Sequence, residues 1–263
     1  TSQDALDTGL IIRIKSAITV IKQNLNYLVT ELIDLADKHK STVMIGRTRN
    51  QNAAPTIFAL KVVNWLTPLK RQRVRLEELT PRLLVIQLGG SVGNNAALRK
   101  RGGEVCIKLA EALDLSVPDS PWHAQRDSII EFANWLSMTA GQLGKVGKDL
   151  MLLSQNEINE ISISNPGKSS TMPNKENPVL FETLVSLAAF CRNNADLIEQ
   201  TALTSHERDG VCMQIERLAL PPLICAASAS IVRASDCLKN MSVNMNAIQK
   251  NVTADRGLIM AEG

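Results

Sequence analysis

The chain has 263 residues, 44% of them hydrophobic, enough for a sizeable core in one or two domains. Its net charge of +3 is mild and scattered, which argues against a nucleic-acid partner and is compatible with small acidic substrates. No stretch approaches about 18 uninterrupted apolar residues, so no membrane span is expected, and no basic region leading into an apolar one marks a signal peptide. Five cysteines without a CxxC pair read as reduced thiols buried in helices, and hence as a cytoplasmic setting.

The first long segment spaces Ile11, Ile14, Ile18, Ile21, Leu25, Leu28, Leu32 and Leu35 by threes and fours. This proline-free heptad seam predicts a helix over residues 4–38, roughly 50 Å long at about 1.5 Å per residue. A helix of that length needs partners. Residues 41–45 read as a short extended piece. The polar run Gly46-Arg-Thr-Arg-Asn-Gln-Asn-Ala-Ala-Pro55 follows, and Pro55 is expected to open a helix to residue 79, bent at Pro68 and continued from Pro81. Gly89-Gly90 ends it in a loop, and Gly102-Gly103 precede a short helix to Leu113. Gly89-Gly-Ser-Val-Gly93 lacks the lysine and the preceding buried strand of a phosphate loop.

Asp119-Ser-Pro-Trp122 opens a second long seam: Ile129, Ala133, Leu136, Ala140, Leu143, Gly147 and Leu150. Its small residues predict close helix contact. Helices over residues 176–204 and 211–250 complete the chain, the latter kinked at Pro221-Pro222. Strand-like alternation is almost absent, and there is no internal repeat or low-complexity run. The expected fold is all-α, an elongated bundle of long helices.

Residues 167–178, Gly-Lys-Ser-Ser-Thr-Met-Pro-Asn-Lys-Glu-Asn-Pro, are the densest in chemistry. Asn177 as N-cap and Pro178 at the first helical position predict a helix start. A loop at the positive end of a helix suits carboxylate ligands. A serine there could exchange a proton beside an anion held by Lys175; a capped loop without function is the alternative that composition leaves open. Thr1-Ser-Gln-Asp4 by itself reads as a capping sequence. His39 reads as a surface partner of a helix-end dipole, while His123 and His206 are each open to a structural or a functional reading. The three are widely separated and lack carboxylates at ligand spacing, so no metal is predicted.

Lys168-Ser-Ser-Thr-Met-Pro-Asn-Lys-Glu-Asn-Pro178 resembles the signature loop of the fumarase/aspartase superfamily, Gly-Ser-Ser-x-Met-Pro-x-Lys-x-Asn-Pro. The resemblance implies that Ser169, the first of the pair with Ser170, is the catalytic base on a mobile loop. Lys168 stands where the family pattern has glycine, and Gly167, one place earlier, is expected to supply the flexibility. Thr1-Ser-Gln-Asp4 followed by Asp7-Thr8 is similar to the superfamily's first signature region, whose Thr-Ser pair donates hydrogen bonds to a substrate carboxylate. Residues 46–55 resemble the second, Gly-Arg-Thr-x-x-Gln-x-Ala-x-Pro, with Thr48 and Gln51 as substrate contacts. Arg49 replaces a histidine that acts as an acid in many relatives, leaving only charge and hydrogen bonds there.

Pro121-Trp-His-Ala-Gln-Arg-Asp127, Pro81-Arg-Leu-Leu-Val-Ile-Gln-Leu-Gly-Gly90 and Phe132-Ala-Asn-Trp-Leu136 resemble segments typical of the 3-carboxy-cis,cis-muconate cycloisomerase family. The likeness runs from Thr1 to Gly257-Leu-Ile-Met-Ala261. His206-Glu-Arg-Asp209 and Glu216-Arg-Leu-Ala-Leu-Pro221 are shared with adenylosuccinate lyases, but Gly210-Val-Cys-Met departs from them, and Asn174 replaces a histidine common at that position in both groups.

The implied chemistry is cofactor-free interconversion of 3-carboxy-cis,cis-muconate and 4-carboxymuconolactone in aromatic catabolism. Lys175 and Asn177 would stabilise an aci-carboxylate dianion, and Arg126 and Arg208 would anchor the remaining carboxylates of a small tricarboxylate. The resemblance further implies a homotetramer whose active sites each draw signature regions from three subunits, with no nucleic acid and no membrane. The chain is expected to be a central helical-bundle domain over residues 1–250 with a truncated C-terminal region over 251–263. The family's N-terminal domain is expected to be absent, leaving a fragment that tetramerises but works poorly. A fumarase-type lyase acting on another acid such as adenylosuccinate, and a non-catalytic helical scaffold, are the rival readings.

Overall fold

The computed structural model describes residues 1–164, 167, 168, 172 and 176–254, of Lys168 the backbone alone. Ser169, Ser170, Asn174, Lys175 and the segment 257–261 therefore lie outside the described residues. Among those described, seven α-helices carry the fold: α1 (Ser2–Lys38), α2 (Phe58–Leu83), α3 (Gly102–Leu113), α4 (Asp127–Leu153), α5 (Val179–Glu199), α6 (Gly210–Asn240) and α7 (Met245–Ala254). The all-α expectation holds in its main features. Short strands join it as three two-stranded antiparallel ribbons: β1 (Val43–Thr48) with β2 (Gln51–Ile57), β3 (Ile161–Ile163) with β6 (Met241–Val243), and β4 (Gly167–Lys168) with β5 (Glu176–Asn177).

The chain divides into two compact units. The first gathers Thr1–Gln23, Gln72–Thr139 and Phe190–Ser228; the second gathers Asn24–Arg71, Ala140–Ala189 and Ala229–Gly263. In the first, the seam residues Ile11, Ile14, Ile18 and Ile21 are buried with Phe132, Leu136, Leu220 and Leu223. Trp135 stacks on Phe132 and its Nε1–H reaches Gln72 O at 2.9 Å, so an indole enters the core without losing its hydrogen bond. In the second, Leu25, Leu28 and Leu32 are buried with Phe58, Trp65, Leu143 and Leu150. Each such side chain contributes roughly 1.5–3 kcal/mol by leaving water.

The small residues of α4 have the role their spacing predicts. A Cβ on Gly147 would lie 2.7 Å from Phe181 O, and one on Gly144 would lie 2.6 Å from Ala188 Cβ, so α4 and α5 meet backbone to backbone in the second unit.

Several boundaries differ from the sequence reading. Pro55 does not open a helix; it lies in β2 opposite Ile45, and α2 begins at Phe58. Proline is tolerated there because β2 pairs on one edge only. α2 then runs unbroken through Pro68 and Pro81. The helix expected over 211–250 stops at Asn240, gives way to β6, and restarts as α7 where Asn244 Oδ1 caps the N–H of Ala247 at 3.1 Å. Pro178 is one place earlier than predicted: its carbonyl accepts the first helical bond, from Glu182 N at 3.0 Å, while Asn177 belongs to β5. Asp209 caps α6 through Val211 N at 2.8 Å and Cys212 N at 3.1 Å. α6 retains Pro221 and Pro222 inside it, which leaves the carbonyls of Arg217 and Leu218 without their usual helical donors.

His39 is not a surface dipole partner. It is buried just past α1, with Nδ1 3.1 Å from Thr42 Oγ1 and its ring edge-on to Phe58. Burial, aided by the Lys38 charge, holds its pKa below the usual imidazole value, so it is neutral there.

Candidate active site

Two clusters of signature residues are built by the fold, one in each unit. In the first unit, α1 begins at Ser2, so Thr1 and exposed Ser2 stand at its positive end. Arg208 Nη2 donates to Thr1 Oγ1 at 2.8 Å, bringing together two residues that are 207 positions apart in the chain. As a donor, Thr1 Oγ1 makes a long 3.5 Å contact to Gly90 O, and Thr1 and Arg208 are both exposed. A carboxylate arriving there would meet a hydroxyl, a guanidinium and a helix start together.

This corner is held by a buried carboxylate. Asp4 accepts from Gly89 N at 2.9 Å, from Gly90 N at 3.2 Å and from His123 Nε2 at 2.8 Å. The structural reading of His123 is thus the one the geometry supports: the imidazole is buried and engaged. Gly89 must be glycine, since a Cβ would lie 2.6 Å from Pro121 Cβ and 2.7 Å from His123 Cε1. His206 is exposed on the loop before α6, with a left-handed φ of 51°.

Arg126 is not open to a substrate carboxylate. Its Nε and Nη2 donate to Glu216 at 2.6 and 2.5 Å, its Nη1 and Nη2 to Asp7 at 3.1 and 3.3 Å, and the guanidinium lies over the Trp122 ring. Burial alone would lower its pKa, but the bonds and charges of Glu216 and Asp7 outweigh it and raise the value, so the cation is permanent. It ties α1 to α6 as a positioning residue. The sequence carried a signal for this: Asp4 and Asp7 continue the three-four spacing of the α1 seam toward its start, and both are buried.

In the second unit, Thr48, Arg49, Asn50 and Gln51 form the exposed tip of the β1–β2 hairpin. Arg49 (φ 52°) and Asn50 (φ 64°) both adopt left-handed backbone, the signature of a type I′ two-residue turn. Arg47, at the base, pairs with fully buried Glu160 through two bonds of 2.9 and 2.7 Å.

The signature loop is closed at its base by the β4–β5 ladder, Gly167 opposite Asn177 and Lys168 opposite Glu176. Gly167 supplies space rather than backbone freedom: its φ is not left-handed, and a Cβ would lie 2.6 Å from Val179 Cγ2. A cavity of about 470 Å³ beside this base is lined by Met172, Glu176, Asn177 and Pro178 together with Met151, Ser154 and Glu157. Among the described residues no cluster of ligating side chains could hold a metal.

The lyase family model matches residues 1–191. The 3-carboxy-cis,cis-muconate cycloisomerase of Pseudomonas aeruginosa is 38% identical over 100% of this chain and 58% of its own length. The N-acetyl-S-(2-succino)cysteine lyase of Dickeya dadantii is 35% identical over the same shares. Among solved structures, the 3-carboxy-cis,cis-muconate lactonizing enzyme of Pseudomonas putida superposes with a TM-score of 0.94 at 38% identity, covering 100% of this chain and 58% of that one. The chain thus spans somewhat more than half the length of these relatives, and it belongs to the lyase family of the fumarase/aspartase superfamily.

Proposed function

We propose that the whole protein is a cycloisomerase that interconverts 3-carboxy-cis,cis-muconate and 4-carboxymuconolactone, a step of aromatic catabolism. The observation that carries this reading is the 38% identity, along the entire chain, to enzymes of that name. In the lactonising direction a substrate carboxylate oxygen adds to a conjugated double bond. The displaced π electrons move into a second carboxylate as an aci-carboxylate dianion, and Ser169 delivers a proton to the carbon beside it. No atom is gained or lost, and no cofactor takes part. Thr1 and Arg208 receive a carboxylate at the start of α1; Thr48, Arg49 and Gln51 offer donors from the exposed hairpin tip; Lys175 and Asn177 hold the dianion. Arg126 keeps α1 in place rather than touching substrate.

The same reading makes the protein a homotetramer with shared sites. Val211, Leu218, Cys225 and Val232 fall seven residues apart on α6, and Val211 and Leu218 are 70% and 76% exposed. By length and composition alone α6 could cross a membrane, yet 44% of its most apolar window is buried. A heptad stripe beside a packed face calls for partner helices rather than lipid. Five unpaired cysteines accord with the cytoplasm.

The match, along the whole of this chain, to a lyase named for a succinylated thiol favours a second reading, elimination from N-acetyl-S-(2-succino)cysteine. Ser169→Ala in the intact protein tests the first. Turnover of 3-carboxy-cis,cis-muconate by wild type and its loss in the variant is expected; undiminished turnover by the variant would remove Ser169 from the mechanism.

A further inference from the structure

We propose that Glu160 is a positioning residue that fixes the β1–β2 hairpin tip for substrate, acting through Arg47; the inference rests on the reading of Thr48 and Gln51 as substrate contacts. Glu160 is fully buried, and every contact of its carboxylate is made inside the second unit. Oε2 accepts Arg47 Nη1 at 2.9 Å, Oε1 accepts Arg47 Nη2 at 2.7 Å, and Oε1 also accepts Asn251 Nδ2 at 2.9 Å. Asn251 Nδ2 bonds Ile158 O at 2.9 Å as well, so α7 braces the carboxylate from behind. The backbone of Glu160 is pinned too, its N–H to Leu153 O and its carbonyl to Asn244 N, each at 2.9 Å.

Stability alone does not account for such a pair. Burying two charges costs solvation that apolar side chains of similar size would not lose, so its value lies in geometry. A bidentate fork fixes the plane of the guanidinium as well as its distance. Arg47 is the last residue of β1 with any burial; from Thr48 to Ala53 every residue is exposed. The tip, Thr48 to Gln51, is exposed and holds a non-glycine, Arg49, in left-handed backbone. The pair of Arg47 with buried Glu160 anchors the hairpin just below it. Glu160 also precedes β3 and lies seven residues before Gly167, where the signature segment begins. One carboxylate thus ties the second signature region to the strand that leads into the third.

The test uses the intact parent protein with Glu160→Gln, which keeps the shape and loses the charge, and Arg47→Lys, which keeps the charge and loses the fork. Kinetics on 3-carboxy-cis,cis-muconate are combined with peptide-level hydrogen exchange. Both variants are expected to lose about tenfold to a hundredfold in kcat/KM. Gln51→Ala added to Glu160→Gln should cost less than it does alone, because a displaced tip has already lost that contact. Exchange should rise in the peptide spanning residues 47–57 and stay unchanged in α4 and α5. Wild-type kcat/KM in both variants, fully additive losses with Gln51→Ala, or a uniform rise in exchange would overturn the inference. If wild type itself does not turn over this substrate, the functional reading fails separately. Hydrogen exchange then decides: local loosening of the hairpin upholds the positioning role, and uniform loosening overturns it.

Discussion

Alanine at Gly147 tests the close approach of α4 and α5, and the structure gives both terms of its cost. The new Cβ would lie 2.7 Å from Phe181 O and 2.8 Å from Leu184 Cβ, where ordinary contact begins near 3.4 Å. Neither neighbour is the tip of a flexible side chain, so α5 must recede by about 0.7 Å, the shortfall in those distances. Overpacking of this kind costs about 1–3 kcal/mol. Alanine's better helix propensity returns about 1 kcal/mol, leaving a net loss of up to about 2 kcal/mol. Gly141 is the internal control: it is exposed on the same helix, and a Cβ there meets nothing within 4 Å. Gly141→Ala should therefore stabilise by about 0.5–1 kcal/mol. Urea unfolding followed by far-ultraviolet circular dichroism should move the two midpoints in opposite directions. A Gly147→Ala midpoint at or above wild type, or a rise in both variants, would refute the close-approach argument.

Gly89→Ala should release the Asp4 network, since its Cβ collides with Pro121 and His123; we expect a lower melting temperature and weaker substrate binding at the Thr1–Arg208 corner, read from KM. Burial pushes the Cys191 and Cys237 thiols up to about 11 and about 12, so neither should react with an aromatic disulfide reagent until the protein unfolds. Cys225, on the exposed stripe of α6, should react fast in dissociated chains and slowly in the assembly; equal rates would count against the stripe as an interface. Burial, with Lys145 and Arg47 adding to it and Asp149 opposing, lowers the pKa of Lys61 below its ordinary 10.5. The unfolded chain then holds that proton more tightly than the folded one, so stability should rise with pH across the window just below 10.5, and Lys61→Met should flatten the slope.

The long helices were legible because their apolar spacing is unambiguous: of the seam from Ile11 to Leu35, every position but half-buried Leu35 is buried. The Gly147 contact was legible for a related reason, as small residues on a buried seam have little use except close approach; Gly144, off that seam, makes a contact that only the structure shows. The hairpin was not. Its turn is Arg49-Asn50 rather than Asn-Gly, and Pro55 imitates a helix start because only the pairing pattern reveals that β2 has a free edge. The break at residues 241–244 was hidden by helix-compatible composition, with the Asn244 cap overlooked. At the site, the sequence offered Thr1, Arg126 and Arg208 alike as substrate contacts; the structure brings Thr1 and Arg208 together but buries Arg126. No pattern within the segment 121–127 tells that Asp7 and Glu216 reach its guanidinium from two other helices.

The central claim is tested most directly by following the diene absorbance of 3-carboxy-cis,cis-muconate with the intact parent protein, with N-acetyl-S-(2-succino)cysteine and adenylosuccinate offered in parallel. Loss of the diene, with neither alternative consumed, is the predicted result. An unchanged diene with turnover of either alternative, or of none by a confirmed tetramer, would contradict the cycloisomerase assignment.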